Sequence, residues 1–345
     1  MARGAGSVNY MRQTMKTVVK LLASAALLGN LAIAHAKPLE LIVFPGGFNW
    51  PVWVAQDEGF FTDQGISVHV TPTPSSSYQM ENLVNGKYDI AMTAVDNLVA
   101  YREGQGERKV DGRDLIAVMG GDSGFLKLVA APDVKAVSDL RGKQISVDSP
   151  TSGYAFVLYE ILKRNGLDKS DYVVQEDGGV LNRFHDLMAR KQDATLLVSP
   201  FELAAQQNGF NVLADALDVL GKYQGLVAGV RESWANTHQR ELEAYIGAYV
   251  TAVEWLFDPR NKEQAIAIFQ KNVGGGDRQA AENAYQLLLR SHGGIQRYAK
   301  LDTAGLDTVL KLRAQWCASN VALEAPSRYY DPRFYNEALA REHNQ

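Results

Sequence analysis

From residue 39 to residue 230, short apolar runs alternate with stretches whose apolar residues recur every three or four positions, which predicts strands followed by helices. Leu39 to Phe44 is the first run, interrupted only by Glu40, and it breaks at Pro45-Gly46-Gly47, residues that a central ladder tolerates poorly. A helix follows, with Asn49 as candidate cap and with Trp50 and Pro51 in its first positions, where proline's missing N–H costs nothing. Further strands are predicted over Ser67–Val70, Tyr88–Met92, Leu115–Met119, Leu126–Ala131, up to Asp148, and over Tyr172–Gln175, Ala194–Val198, Asn211–Ala214 and Tyr223–Val230. Helices are predicted over Tyr78–Asn85, Leu98–Glu103, Ala155–Asn165 and Val180–Arg190. Beyond Arg231 the pattern is helical: Glu241–Phe257, Lys262–Asn272 closed by Gly274-Gly275-Gly276, Arg278–Arg290 and Thr303–Ser319. These last helices read as scaffold, with Trp255 and Trp316 in the core and no chemistry assigned.

The chemistry is expected at the junctions between strands and helices. Phe48, Asn49 and Trp50 would put aromatic walls and a polar group at the carboxyl end of the first strand, although an ordinary loop with core aromatics fits the same residues. Gly120 to Phe125, carrying Asp122, Ser123 and Phe125, is a glycine-rich turn. It is no phosphate loop, since Lys127 lies beyond the glycines and no Gly-Lys-Ser/Thr follows. Ser149, Thr151, Ser152, Gly153 and Tyr154 bring three hydroxyls to the start of a helix whose free N–H groups and dipole favour an anion; a simple cap with a solvated loop is the alternative.

Composition narrows the classes. The chain of 345 residues has 46% hydrophobic and 21% charged residues, enough apolar material for two lobes with cores and unlike a disordered chain. No basic run occurs after residue 40, so no nucleic-acid partner is expected. Arg3, Arg12, Lys16 and Lys20, the apolar run Leu21–Ala34 and Ala34-His35-Ala36 read as a secretory leader over residues 1–36. Cleavage there removes four positive charges and no acid, taking the formal charge from −4 to −4 − 4 = −8. Met11 or Met15 would also begin a complete leader, and no cysteine stands at the cleavage point to carry a lipid. Cys317, the only cysteine, has no partner for a disulfide and reads as a small core residue; no ligand spacing for a metal and no cofactor signature appears.

Gln56 to Ile66, with Gly59-Phe60-Phe61 and Gly65-Ile66, resembles the opening of the periplasmic solute-binding proteins of ABC importers, in the branch handling sulfonates, nitrate and thiamine-type pyrimidines. Gly86-Lys87-Tyr88-Asp89-Ile90-Ala91, Val137 to Asp148 with its Arg141-Gly142-Lys143, the turn Ser199-Pro200-Phe201-Glu202, and Tyr329-Tyr330-Asp331 are similar to phrases of the same family. The resemblance implies an α/β, two-lobed binding-protein fold of the second type. Residues 37–127 would begin lobe 1, 128–224 would form lobe 2, and 225–345 would return to lobe 1 and add the C-terminal helices, with glycines in the return strand serving a hinge. It puts Asp96 and Asn97 toward a ligand, although both also suit a helix cap. It also brings the loop at Gly178 with the following helix, and Phe201 or Glu202, to the pocket.

The function so implied is capture of a small organic solute, whether sulfonate, carboxylate or pyrimidine-like, by hinge closure and its delivery to a membrane permease, by a periplasmic monomer. Asp96, Asp122, Asp148 and Asp177 all fall at strand ends and favour a ligand with N–H donors or positive charge, against the oxyanion that Ser149 to Gly153 favour. No arginine is expected at the ligand loops. The alternative of another class is an enzyme on the same architecture, pyrimidine synthase-like or sulfinate hydrolase-like. It would need a cysteine cluster, or a cleft cysteine with a histidine partner, which the single Cys317 in a late helix does not offer.

Overall fold

The computed structural model describes residues 37–273, 277–290, 293–317 and 323–342; the leader expected over 1–36 and the glycines 274–276 lie outside them. The described residues from Pro38 onward fold as one unit built on two mixed five-stranded sheets. The chain enters the first sheet through β1 (Leu39–Val43), turns through α1 (Trp50–Asp57) and α2 (Phe60–Asp63), and returns as β2 (Val68–Pro72). It continues through α3 (Ser76–Val84), β3 (Ile90–Ala94), α4 (Val95–Arg102) and β4 (Leu115–Gly120). The second sheet follows, with β5 (Lys127–Ala130), β6 (Gln144–Val147), α5 (Gly153–Arg164), β7 (Val173–Glu176), α6 (Val180–Met188), β8 (Ala194–Leu197), α7 (Phe201–Gln207), β9 (Asn211–Asp215) and α8 (Ala216–Leu220). Then β10 (Leu226–Arg231) returns to the first sheet. The rest is helical: α9 (Glu232–Thr237), α10 (Gln239–Phe257), α11 (Lys262–Asn272), α12 (Arg278–Leu288), α13 (Thr303–Trp316) and α14 (Arg333–Glu342).

Strand order is β2-β1-β3-β10-β4 in one sheet and β7-β6-β8-β5-β9 in the other. In each, four strands run in one direction, and the strand that crosses from the other sheet inserts antiparallel between two of them. Strands β1, β3, β4, β8 and β10 are almost wholly buried, as sheets covered by helices on both faces require. The carboxyl ends of the parallel strands, where a βα turn leaves N–H groups unpaired, point at the space between the sheets.

Two segments cross between the sheets, Gly121–Leu126 and 221–225, and they are stitched together. The Gly124 and Leu226 amides donate to Asp122 Oδ1 at 2.7 and 3.2 Å, and Gln224 Nε2 donates to the carbonyls of Asp122 and Leu226. A Cβ at Gly225 would lie 2.1 Å from that carboxylate oxygen, so glycine is required here for close approach, where the sequence had pointed to hinge flexibility. Helix α4 also departs from expectation. It starts at Val95 without a side-chain cap, which makes Asp96 and Asn97 first-turn residues of the helix and not caps.

Candidate functional site

Between the sheets lies a cavity of about 40 Å³ walled by Phe44 and Phe48 after β1, Ala94 and Asn97 at α4, Asp148 and Ser152–Tyr154 after β6, and Gly179, Val180 and Arg183 at α6. Leu126, Val198 and Leu226 close it. Such a space exceeds what one water needs, and its walls are chiefly apolar with a few polar groups, the usual make-up of a small-molecule site. The faces of the two sheets meet around it through hydrogen bonds donated by backbone amides. Gly47 N donates to the Ser199 carbonyl at 2.7 Å, Gly179 N to Pro74 at 2.8 Å, and Ser76 N to Asp148 Oδ2 at 3.0 Å.

Arg183 is the principal charge in the wall. Its side chain, on the first turn of α6, leans back toward the helix start as helical Cα–Cβ geometry directs. Nε donates to the Gly178 carbonyl at 3.1 Å, and Nη1 donates to Thr195 Oγ1 at 2.8 Å and the Leu196 carbonyl at 2.6 Å, while Nη2 has no hydrogen-bond partner among the described residues. Burial holds its pKa below the ordinary guanidinium value, with the nearby charges of Asp148 and Asp177 opposing. Asp148 and Arg183 cancel formally, so the lining is net neutral but strongly dipolar. Tyr154 faces the same space, its hydroxyl pKa raised by burial. Ser152 caps α5, accepting from Ala155 N at 3.4 Å and donating to the Ser149 carbonyl at 2.9 Å, which leaves first-turn N–H groups of the helix without intrahelical acceptors.

Of the residues singled out in the sequence, the structure brings Phe48, Asn97, Ser152, Gly153 and Tyr154 to this cavity. The others lie elsewhere. Trp50 is fully buried against Phe269 and Tyr285, ring centroids 4.5 and 5.9 Å away, with its indole N–H on the Ala265 carbonyl; it is core, turned from Phe48 by the helical rotation between them. Asn49 uses its amide to hold the Phe44 carbonyl at 2.6 Å and makes no cap. The Asp96 carboxylate is taken by Arg313, and Asp122 belongs to the crossing strands, where burial raises its pKa to about 6. Ser123 bonds Gly294, Phe125 is core, and Ser149 and Thr151 face a smaller recess beside Glu107. Gly178 sits against Pro74, and Phe201 packs on Phe184. Asp177 is not in the lining either, so of the four strand-end acids only Asp148 borders the cavity.

The expectation of no arginine at the ligand loops is corrected by Arg183. Arg183 belongs to the helix that the resemblance brings to the pocket, and it returns to the loop only through its side-chain direction. The proximity of opposing acids is visible at Glu107, whose pKa rises to about 7 through burial and the charges of Glu176 and Asp148 across the lobe contact. A second and larger space, about 890 Å³, opens where α8 meets the segment around Gly293–Lys300; Ser123, Asp215 at the end of β9 and the crossing residues Gly221–Tyr223 border it, and it shares no lining residue with the first cavity. Cys317 lies at 3.9 Å from Arg313 Nη1 and is not in the cavity lining.

Glu202 is buried at α7, its Oε1 bonded to the Ser199 hydroxyl and its Oε2 without a partner. Burial raises its pKa from 4.5 to about 7, the Ser199 bond opposing. The folded state therefore binds this proton more tightly than the unfolded chain, and the associated stability is full at low pH and is lost as pH rises from the unfolded value through about 7. Glu202→Gln is expected to remove about 2–3 kcal/mol of that fall, so that the variant is the more stable form at about pH 8 and loses this advantage near pH 5. Urea unfolding at both pH values measures it.

The sequence profile of the NMT1-like family matches residues 34–270. A curated relative, the nitrate import ATP-binding protein of Synechocystis sp., is 24% identical over 230 residues, 63% of this chain, and the chain spans 34% of that protein's length. The periplasmic nitrate-binding protein of Synechocystis superposes with a TM-score of 0.73 at 12% identity, covering 89% of each chain. The alkanesulfonate-binding protein of Xanthomonas axonopodis pv. citri, bound to MOPS, gives 0.68 at 16% identity, covering 88% of this chain and 98% of its own. The periplasmic-binding-protein fold read from the sequence is therefore the fold of this chain.

Proposed function

This chain belongs to the NMT1-like family, and from that premise we propose that it is the solute-binding component of an ABC importer, taking a small solute between its lobes and presenting it to a permease in the inner membrane. The observation that carries the reading is the cavity itself: walls from both sheets, apolar on most sides, with Arg183, Tyr154 and Asn97 among its polar lining residues. A ligand touching both walls favours the closed arrangement by its differential affinity for it, and a permease that reads the closed shape then receives only loaded protein. The fold neighbours that bind nitrate and an alkanesulfonate support a compact guest with one polar or anionic group. The space of about 40 Å³ in this arrangement favours few non-hydrogen atoms. We favour binding over catalysis because the cavity walls pair no nucleophile with a base.

The test is a thermal-shift screen of the chain from residue 37 onward against nitrate, short alkanesulfonates, short carboxylates and aminopyrimidines. A specific guest stabilises by RT ln(1 + [L]/Kd), about 2.7 kcal/mol at a hundredfold excess over Kd. We expect one of these classes to raise the melting temperature with saturation. Absence of a saturable shift from all four would count against the reading.

A further inference from the structure

Helix α13, which the sequence marks as scaffold, lies against α5 of the second sheet and α4 of the first. Its Arg313 is fully buried. Nε and Nη2 donate to the two carboxylate oxygens of Asp96 at 2.7 and 2.6 Å, and Nη1 donates to Gln105 Oε1 at 2.8 Å. Nη2 also donates to the Thr151 carbonyl at 3.1 Å, and the guanidinium lies 5.0 Å from the Phe156 ring centroid. Asp96 and Gln105 belong to the first sheet's side; Thr151 and Phe156 belong to the second. One side chain, outside the cavity, thus touches both lobes.

The start of α5 rests directly on this pair. A Cβ placed on Gly153 would lie 2.4 Å from Asp96 Cβ and 2.6 Å from its Cγ, so the lobes meet at Asp96 with no room for a methyl group. With the lobes apart, water hydrates Asp96. With the lobes together, Asp96 is 1% exposed, and an unpaired carboxylate there would be costly to bury. Arg313 makes that burial tolerable and adds a charge-assisted bond to Thr151 that forms only on closure.

We propose that Arg313 is a closure latch: by pairing with Asp96 and holding the Thr151 carbonyl, it stabilises the closed lobes independently of any solute, and so sets affinity as a positioning residue without touching the guest. Apparent affinity is proportional to the fraction of molecules closed before binding, so the latch tunes capture through two residues that stand 217 positions apart in the chain. The inference goes beyond the transport reading, resting on it only for the idea that the lobes move.

The experiment measures the lobes with no solute added. Spin labels are placed at exposed Gln56 on α1 and Gln206 on α7, through Gln56→Cys and Gln206→Cys in a Cys317→Ala background, and their separation is read by double electron–electron resonance. The parent should show a dominant short distance. Arg313→Met should reduce that population at least about tenfold in favour of longer distances, the loss expected when a charged hydrogen bond and its pairing disappear. Arg313→Lys, which keeps the charge but not the fork, should fall between. Should Arg313→Met fail to fold, Gly153→Ala decides: alanine is the better helix former, so the open protein is not weakened, yet the added methyl bars closure and the long distance should dominate. Folded variants with the parent's distance distribution, or a parent already at the long distance, would overturn the latch. Because no solute enters the measurement, failure of the solute screen and failure of the latch are separate results.

Discussion

Arg183→Ala should lower the free energy of unfolding by about 3–5 kcal/mol and abolish the solute-induced rise in melting temperature at the same time. The stability loss follows from the three acceptors it leaves, the carbonyls of Gly178 and Leu196 and the Thr195 hydroxyl, the last two on a buried strand. Loss of the solute shift follows from the place of Arg183 in the cavity wall, with Nη2 the one guanidinium nitrogen that has no hydrogen-bond partner among the described residues. Arg183→Lys should recover part of the stability and little of the solute shift, because an ammonium cannot serve the backbone and the guest from one rigid fork. Urea unfolding gives the first quantity and thermal shift with a saturating solute gives the second. An alanine variant that keeps the full solute shift would remove Arg183 from the binding wall.

Trp50→Ala should show the opposite division. Removing a fully buried indole that packs on Phe269 and Tyr285 and bonds Ala265 is expected to cost about 3–5 kcal/mol of stability. The cavity is bordered by Phe48 and not by Trp50, so the solute shift, measured from the lower starting melt, should persist with unchanged affinity. This reverses what the loop sequence alone favours, in which Trp50 is an aromatic wall. A stable variant that no longer responds to solute would restore the wall and contradict the packing described here.

These two residues mark where the sequence is readable and where it is not. Strand-to-helix alternation and the glycine-containing junctions placed β1, β3, β6 and β8 and put Phe48 and Ser152–Tyr154 at strand ends, because those signals are local: hydrophobic periodicity, caps and turn residues act within a few positions. Trp50 was ambiguous because an aromatic at a helix start satisfies a wall and a core equally, and only the direction of the following turn separates them. Arg183 sits one turn inside a helix, where periodicity assigns it to a face but not to a cavity. Arg313 and Asp96 meet across 217 positions, and no local pattern encodes such a pair. Asp96, Asp122 and Asp148 look alike at strand ends, yet one is neutralised by a distant arginine, one binds the crossing strands and one borders the cavity. Their fates are decided by tertiary partners.

The central claim is that a solute is held between the two sheets. Ala94→Leu tests it most directly, since Ala94 ends β3 in the cavity wall and a leucine there would fill the space of about 40 Å³ that the guest requires. Titration calorimetry of the solute identified by the thermal-shift screen should give saturable heat with the parent protein and none with Ala94→Leu, while the solute-free melts of the two stay close. Undiminished binding by a folded Ala94→Leu protein would place the solute elsewhere and contradict the account.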